Sequence, residues 1–168
     1  NQLGPAGAEA LAAALRRGTL PNLVMLDLGR NPIGNQGMVA LAAPLRKLPA
    51  LKVLPFTGCK IGDEGVASLL ADLGKDDFKA LETLDLRSNK IADQSCDMLI
   101  SLLEKVVLPR LTRLWVNENG LSDEAFEKLA MAAAERGVSL SPDEEEEEYD
   151  SEEEEEEDAY DEDEYGIG

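Results

Sequence analysis

The chain has 168 residues, of which 35 are acidic and 16 are basic, so its formal net charge is −19, and it contains no histidine. A chain this acidic is not expected to bind DNA, RNA or an anionic membrane directly, because phosphate recognition depends on cations. The lack of histidine excludes catalytic triads, imidazole acid–base catalysis and histidine-ligated metals. We therefore expect neither an enzymatic site nor a cofactor in these residues.

The charge divides the chain into two parts. All 16 Lys and Arg residues precede Pro142, where 17 Asp and Glu residues oppose them and leave a net charge of −1. The other 18 acids lie within residues 143–164. We predict a domain over residues 1–141 and a disordered acidic tail over residues 142–168, because the tail has no apolar periodicity that could offset its ordering entropy.

One pattern of apolar residues repeats along the predicted domain with a period of 28 to 30 residues. A truncated copy opens the chain at Asn1, and complete copies begin at Leu23, Leu51, Leu81 and Leu111. The first complete copy has its pattern positions at Leu23, Leu26, Leu28, Asn31, Ile33, Gly37, Leu41 and Leu45. Because the chain begins inside a copy, we expect it to be a fragment that lacks earlier repeats.

Each copy predicts a short strand followed by a helix. Alternating residues such as Leu26 and Leu28 bury one face of a strand and leave the intervening residues on the other face. Leucines four residues apart, such as Leu41 and Leu45, give the helix an apolar side that closes the core. The predicted helices cover residues 5–16, 35–47, 63–73, 93–105 and 123–136. Residues 74–80 and 104–110 lengthen two copies and are predicted to form loops.

Polar residues interrupt the apolar pattern at two places in each copy. Where the chain turns off the strand stand Asn1, Asn31, Cys59, Asn89 and Asn119. An amide at this turn can satisfy backbone groups that no strand ladder reaches. Four residues farther, Asn35, Asp63, Asp93 and Asp123 suit a helix start, as cap or first-turn residue.

The two cysteines, Cys59 and Cys96, are too few for a disulfide framework. We expect free, buried thiols, which suit a reducing intracellular compartment, cytoplasmic or nuclear. No run of about 18 apolar residues occurs, so no membrane span is predicted.

The repeat length, the alternation of strand with full helix, and the Asn or Cys at the turn resemble the ribonuclease-inhibitor-like subfamily of leucine-rich repeats. The resemblance implies an α/β fold: a curved solenoid with parallel strands on the concave face and helices on the convex face. Pro55 inside a strand is a mild departure from the pattern. Proteins of this subfamily are mostly binding scaffolds, so the resemblance implies a protein partner on the concave face.

The residues expected to meet that partner are the outward strand positions Met25, Asp27, Pro55, Asp85, Arg87, Arg113, Trp115 and Asn117. Trp115 is the only tryptophan, and an exposed Trp beside Arg is typical of an interface hot spot. The alternative is that Trp115 packs over neighbouring strand side chains or under the tail. For Asp27 and Asp85 the alternative is an ordinary solvated position.

Three functions remain open at this stage. The first is a scaffold whose concave face binds a protein while the acidic tail attracts basic proteins. The second follows from the layout of repeats before an acidic segment, which resembles the GTPase-activating proteins for Ran and implies a small GTPase as partner. The third is a histone-binding acidic nuclear protein. The tail tyrosines Tyr149, Tyr160 and Tyr165 could anchor a basic partner, or the tail could act only as a solubilising segment.

Overall fold

The computed structural model describes residues 2–18 and 20–142. The predicted acidic tail beyond Pro142 and the predicted turn role of Asn1 lie outside these described residues. Within them, helices alternate with short strands in the order α1 Pro5–Arg17, α2 Gly34–Arg46, β1 Val53–Pro55, α3 Asp63–Leu70, β2 Thr83–Asp85, α4 Asp93–Glu104, β3 Arg113–Trp115 and α5 Asp123–Arg136. The predicted α/β repeat fold is confirmed.

The strands form a parallel sheet in the order β1-β2-β3, so consecutive repeats are neighbours. Its register joins equivalent positions of the pattern, such as Leu54, Leu84 and Leu114. Single bridges from Met25 to Val53 and from Arg113 to Ser139 extend the sheet on both sides. Each strand is followed by a helix on the other side, which produces the curved solenoid with strands on the concave face and helices on the convex face.

The inward residues of the strands form the core. Leu54, Leu84 and Leu114 are completely buried, and so are Phe56 and Leu86 two residues farther along their strands. Burying a side chain of this size stabilises the fold by about 1.5–3 kcal/mol. Together with the apolar sides of the helices, these residues form one continuous core, in which each repeat packs against its neighbours.

Pro55 is accommodated within β1 although it lacks an N–H. Its carbonyl accepts from the N–H of Leu28 at 3.1 Å, and the next residue, Phe56, donates to the carbonyl of Asp85 at 2.8 Å. The proline therefore removes a donor on the side facing the preceding repeat and leaves the ladder to β2 intact.

Small residues in the helices mark where neighbouring helices touch. A Cβ added to Gly37 in α2 would lie 2.9 Å from the Cβ of Ala8 in α1. One added to Gly65 in α3 would lie 2.8 Å from the Oδ1 of Asn35 in α2. The added Cβ atoms would also meet Ile33 and Ile61, four residues earlier in the same repeats. These glycines therefore allow close approach both of the neighbouring helix and of the segment that precedes their own helix.

The polar residues at the helix starts act on the following repeat. Asn35 Oδ1 accepts from the backbone N–H groups of Gly62 and Gly65, at 2.8 and 3.1 Å. Asp63 accepts from the N–H groups of Ala92 and Ser95, at 3.0 and 3.2 Å. These residues lie in the first turn of their helices, which is one of the two predicted roles, and the cap role is not observed: none of the three helices has a side-chain cap from its own N-cap residue. The side chains instead accept from amides at the start of the next helix, which lack a partner within that helix.

The same arrangement continues to the last helix. Asp93 accepts from the backbone N–H and the hydroxyl of Ser122, both at 2.8 Å. These hydrogen bonds lower the pKa of the Asp93 carboxyl. Ser122 in turn accepts from the N–H of Ala125 at the start of α5. A line of side-chain contacts therefore joins consecutive repeats along the helix N-termini.

The predicted loops are present, and the first one begins earlier than expected. Helix α3 ends at Leu70 because the next residue, Ala71, is extended, and Asp72 follows in a left-handed conformation with φ of 49°. The loop that follows returns Phe78 to the core, where it is 1% exposed. The N–H of Phe78 donates to the carbonyl of Arg46 at 2.8 Å, which ties this non-repeated segment to α2.

Along residues 2–18 and 20–142, no helix has the length and apolar character needed to cross a membrane.

Candidate functional site

The outward side chains of consecutive strands form an open groove with a volume of about 480 Å³. We call this surface the concave groove; its lining residues are Met25, Asp27, Gly29, Arg30, Val53, Pro55, Thr57, Thr83, Asp85, Arg87, Arg113 and Trp115. The groove crosses four successive repeats, because the first of these residues precedes β1 by one repeat and the last lies on β3. The structure brings together on it all the predicted partner-contacting residues except Asn117.

At the β3 end of the concave groove, Arg87 stacks on Trp115. The guanidinium carbon of Arg87 lies 4.9 Å from the centroid of the indole ring. A cation over the face of a tryptophan is attracted by the negative potential of the ring. The alternative in which Trp115 packs over a neighbouring strand side chain is therefore observed, and the same contact makes the indole part of the groove lining.

Asp85 fixes the position of Arg87. Its carboxylate accepts from the Arg87 Nη2 at 3.0 Å and from the Arg87 backbone N–H at 3.0 Å. It also accepts from the hydroxyl of Thr57 on the preceding repeat at 2.7 Å. The Asp85 side chain is only 5% exposed. An ordinary solvated position is thus wrong for Asp85, because its neighbours on both sides cover it.

Asp27 behaves differently from Asp85 although both occupy the same pattern position. It is exposed, and its Oδ1 accepts from the backbone N–H of Gly29 at 2.8 Å. Met25 is 51% exposed at the same end of the groove. This end of the concave groove is open to solvent, whereas the centre is filled by interlocked side chains.

Two polar atoms at the other end are shielded from water. The Nε1 of Trp115 and the Oδ1 of Asn117 have no hydrogen-bond partner within the part of the chain that the structure describes. An unpaired buried polar group costs about 1–3 kcal/mol relative to a paired one. The indole N–H is therefore a donor suited to an acceptor supplied from outside the described residues.

The turn asparagines lie behind the concave groove and not in it. Asn89 donates through Nδ2 to the carbonyls of Phe56, Leu86 and Arg87, at 2.8 to 3.0 Å. Its Oδ1 accepts from the N–H groups of Cys59 and Ile61, at 2.9 and 3.0 Å. One amide thus serves its own turn and the turn of the preceding repeat.

Asn119 and Asn31 make corresponding contacts. Asn119 donates to the carbonyls of Leu86, Val116 and Asn117 and accepts from the N–H of Ile91. Asn31 donates to the carbonyls of Leu28 and Gly29 and accepts from the N–H of Leu3. Together with Asn89, these amides form a line of hydrogen bonds along the turns, in which Cys59 takes the position between Asn31 and Asn89.

Cys59 replaces the hydrogen bonds that the asparagine side chain donates but not those that it accepts. Its thiol donates to the carbonyl of Leu28 at 3.0 Å, but it offers no oxygen to the preceding turn. There the N–H of Ile33 bonds to the carbonyl of Asn31 instead. Burial raises the pKa of the Cys59 thiol to about 11, so the group remains protonated and able to donate at neutral pH.

Sequence reasoning missed Arg30 as a groove residue. It precedes the turn residue Asn31 and has a left-handed φ of 57°, as do Gly58, Ser88 and Glu118 at the same point of their repeats, with φ of 65°, 54° and 57°. This conformation ends the strand and turns the preceding carbonyls toward the amide. A strict alternation of faces cannot place such a residue, and because the residue type at this point differs in every copy, the repeat pattern gave no signal for it.

The described residues contain no group of three or more His, Cys, Asp or Glu that could hold a metal ion. The groove instead combines arginine, aspartate, threonine, tryptophan and aliphatic side chains, which suits the recognition of another molecule by contact.

Comparison with known proteins assigns the repeats. The Leucine Rich repeat family model matches residues 19–42, 47–70 and 80–99. The chain is 38% identical over 114 residues to Tonsoku-like protein of Bos taurus, covering 66% of this chain and 8% of that protein. It is 32% identical over 132 residues to NACHT, LRR and PYD domains-containing protein 12 of Mus musculus, covering 76% of this chain and 12% of that protein. The chain thus spans a small part of the length of the curated relatives it matches.

Two solved structures share the fold. One is entitled leiomodin-1 actin-binding site 2, with a TM-score of 0.63, 16% identity and coverage of 77% of this chain and 73% of that one. The other is the tropomodulin C-terminal domain of Caenorhabditis elegans, with a TM-score of 0.59, 15% identity and coverage of 84% and 87%. The recurring strand–helix unit and the family match show that the chain carries leucine-rich repeats, and the two solved structures show the same fold.

Proposed function

We propose that this chain is a protein-interaction scaffold whose concave groove binds a protein partner around Trp115 and Arg87. The observation that carries the proposal is the Arg87–Trp115 stack, held in place by the buried carboxylate of Asp85. Trp and Arg are the residues most enriched among those that dominate binding energy at interfaces. A side chain already fixed before binding loses less entropy when the partner arrives.

The shape of the concave groove also supports a protein ligand. The groove extends over four repeats and has no enclosed end, so its contacts come from several strands at once. A small molecule would expose much of its surface in such a groove, whereas a loop or helix of a protein would contact its whole length. The leucine-rich-repeat family and the structures that share the fold are consistent with a binding protein that is not an enzyme in these residues.

The charge of residues 143–164 favours a basic partner for that segment. Eighteen acids lie there, while the rest of the chain is nearly balanced. A field of this sign steers basic proteins toward the chain and repels nucleic acids. A histone is one basic protein of this kind. A Ran-type small GTPase is the narrower proposal for the concave groove, and it rests on the sequence layout alone.

A binding titration with two partners tests both levels of the proposal. Core histones and a purified Ran-type GTPase are titrated separately against the unchanged chain, Trp115→Ala and Met131→Ala. Met131 is the control, because it is 69% exposed on α5, away from the groove. For the partner of the concave groove, Trp115→Ala is expected to weaken binding by about 2 kcal/mol, roughly 30-fold.

The two variants separate the groove from the rest of the surface. Unaltered affinity of Trp115→Ala for a partner that binds the parent chain would remove that partner from the concave groove. Equal weakening by Met131→Ala would show that the contact surface is the convex side.

A further inference from the structure

We propose that residues 143–150 of this same chain fold back into the concave groove and occupy it in the absence of a partner. Two features of the described residues point to this occupant: the place where the described chain ends, and the chemistry that the groove presents there. The docking itself stands on these features. Its consequence, competition with a partner for the same surface, rests on the function proposed above.

The described chain ends beside the groove. Ser139 bridges to Arg113 in parallel, and the N–H groups of Leu114 and Val116 donate to the carbonyls of Ser139 and Leu140, at 2.8 and 3.4 Å. Residues 139–140 therefore run alongside β3 in the direction of Trp115. The described chain ends two residues later, at Pro142, on the β3 side of the concave groove.

The distance across the groove is short for the segment that follows. Parallel strands lie about 4.8 Å apart, so the path from Ser139 over β3, β2 and β1 to Met25 is roughly 19 Å. An extended chain covers about 3.3 Å per residue, so roughly six residues are enough to cross it. Residues 143–150 provide this length without strain, and attachment to the domain gives them an effective concentration on the order of millimolar.

The groove and the segment are complementary in charge. Three arginines, Arg30, Arg87 and Arg113, and two aspartates, Asp27 and Asp85, line the groove, so the net charge of its lining is 3 − 2 = +1. Arg87 pairs with Asp85 inside the groove. Seven of the eight residues 143–150 are acidic. Arginine guanidinium groups bind carboxylates with paired hydrogen bonds, which makes this combination stronger than a contact between lysine and carboxylate.

The indole N–H of Trp115 is a second feature of the groove that favours an acidic segment. Its Nε1 is shielded from water and has no partner among the described residues, although a buried tryptophan N–H normally finds one. Carboxylates are acceptor-only groups, so an aspartate or glutamate next to Trp115 would satisfy it. Tyr149 in the same segment adds an aromatic ring that could contact the outer face of the groove.

The single tryptophan makes the proposal measurable without any partner. Trp115 is the only tryptophan of the chain, so its fluorescence quenching by neutral acrylamide reports access to the concave groove. In the unchanged chain, raising NaCl from about 20 mM to about 0.5 M is expected to increase the quenching constant roughly two-fold, because the shorter Debye length weakens the docking contacts. This measurement uses the unchanged chain, so its result does not depend on whether a variant folds.

Matched charge variants locate the docked segment. In one variant the seven acids of residues 143–150 become Asn or Gln; in the other, the seven acids of residues 152–158 do. The first is expected to give the roughly two-fold higher quenching already at low salt, and the second less than half of that increase, because the segment nearest to the groove has the higher effective concentration. Equal effects of the two variants would overturn the assignment to residues 143–150.

A second pair of variants tests whether the concave groove is the surface to which the segment docks. The double variant Arg30→Gln with Arg113→Gln removes two groove cations and leaves the Arg87 stack in place. The control, Arg17→Gln with Lys105→Gln, removes two exposed cations of the convex side, one at the end of α1 and one directly after α4. Only the groove pair is expected to raise the quenching. The proposal is overturned if quenching of the unchanged chain is independent of salt, or if both pairs act alike. None of these readouts depends on a partner, so failure of the docking and failure of the proposed function are separate results.

Discussion

The two faces of the same short strands follow opposite rules. On the inner face, the equivalent positions Leu54, Leu84 and Leu114 are identical and fully buried. On the outer face, the equivalent positions Pro55, Asp85 and Trp115 are all different. These residues alternate along three-residue strands, so neighbours in sequence are subject to unrelated constraints.

The difference shows that stacking of the repeats constrains the inner face and leaves the outer face free to vary. Stacking requires every repeat to present the same apolar shape to the next one, so the inner face must repeat. Nothing in the stacking constrains the outer face, which is free to carry Arg87 over Trp115 in one repeat and Met25 in another. In leucine-rich repeats, the recurring inner positions therefore indicate the fold, and the variable outer positions determine which partner is recognised.

The largest expected effect comes from the inner face. Leu84→Ala in the middle strand should reduce the free energy of unfolding by about 2–5 kcal/mol, because it leaves a cavity between two repeats that cannot both collapse into it. Urea unfolding followed by circular dichroism measures this change. Met131→Ala, at an exposed position, is the control and should lie within about 0.5 kcal/mol of the parent chain. Comparable losses from both variants would contradict the division between the two faces.

The next effect concerns the turn line, which repeats although it is polar. Asn89→Ala is expected to cost about 1–3 kcal/mol, since it leaves backbone groups of two consecutive turns without partners. Asn89→Cys should fall between Ala and the parent, because a thiol can donate as Cys59 does but cannot accept from the N–H groups of Cys59 and Ile61. The same urea experiment ranks the three chains. Equal stability of the Cys and Ala variants would disprove the donor role of the thiol.

Much of this architecture could be predicted from sequence because it recurs. The inner leucines, the turn asparagines and the order of strands and helices each appear several times, so that chance matches are averaged out. The helix-start residues Asn35, Asp63 and Asp93 were recognised for the same reason. Their action on the following repeat was missed, because a sequence pattern gives spacing along the chain and not the neighbour across it.

The concave groove was predictable only as a set of positions. Alternation of faces brought Asp27, Asp85, Arg87 and Trp115 onto one side, but it could not show that Asp85 is covered by its neighbours while Asp27 stays exposed. That difference depends on side chains that the alternation does not bring together: Arg87 from the same repeat and Thr57 from the preceding repeat enclose Asp85, whereas Asp27 lies at the open end. Arg30 was missed because its left-handed backbone falls outside the alternation.

A change at Asp85 sharpens the comparison from the outer face. Asp85→Asn is expected to lower the free energy of unfolding by about 1–2 kcal/mol, because charge-assisted hydrogen bonds to Arg87 are replaced by weaker neutral ones. Asp27→Asn, the same substitution at the equivalent exposed position, should change stability by less than about 0.5 kcal/mol. Trp115 emission should shift only in the Asp85 variant, since the Arg87 stack loses its anchor. Identical behaviour of the two variants would show that Arg87 is held by other contacts.

The smallest expected effect lies in the loop after α3, a non-repeated segment that nevertheless completes the core. Asp77 accepts from the Lys47 ammonium and from the N–H of Gly74, and these hydrogen bonds hold the loop that buries Phe78. The Lys47 hydrogen bond, more than any other contact, lowers the pKa of the Asp77 carboxyl below its unfolded value. The stabilisation is therefore fully present above the unfolded pKa of about 4 and is lost as pH falls through the lower folded pKa.

Asp77→Asn should cost at most about 1 kcal/mol at neutral pH, because Lys47 is largely exposed and water screens the pair. Urea midpoints of the two chains should converge on acidification below pH about 4. A stability difference that stays constant with pH would assign the effect of Asp77 to shape and not to its charge.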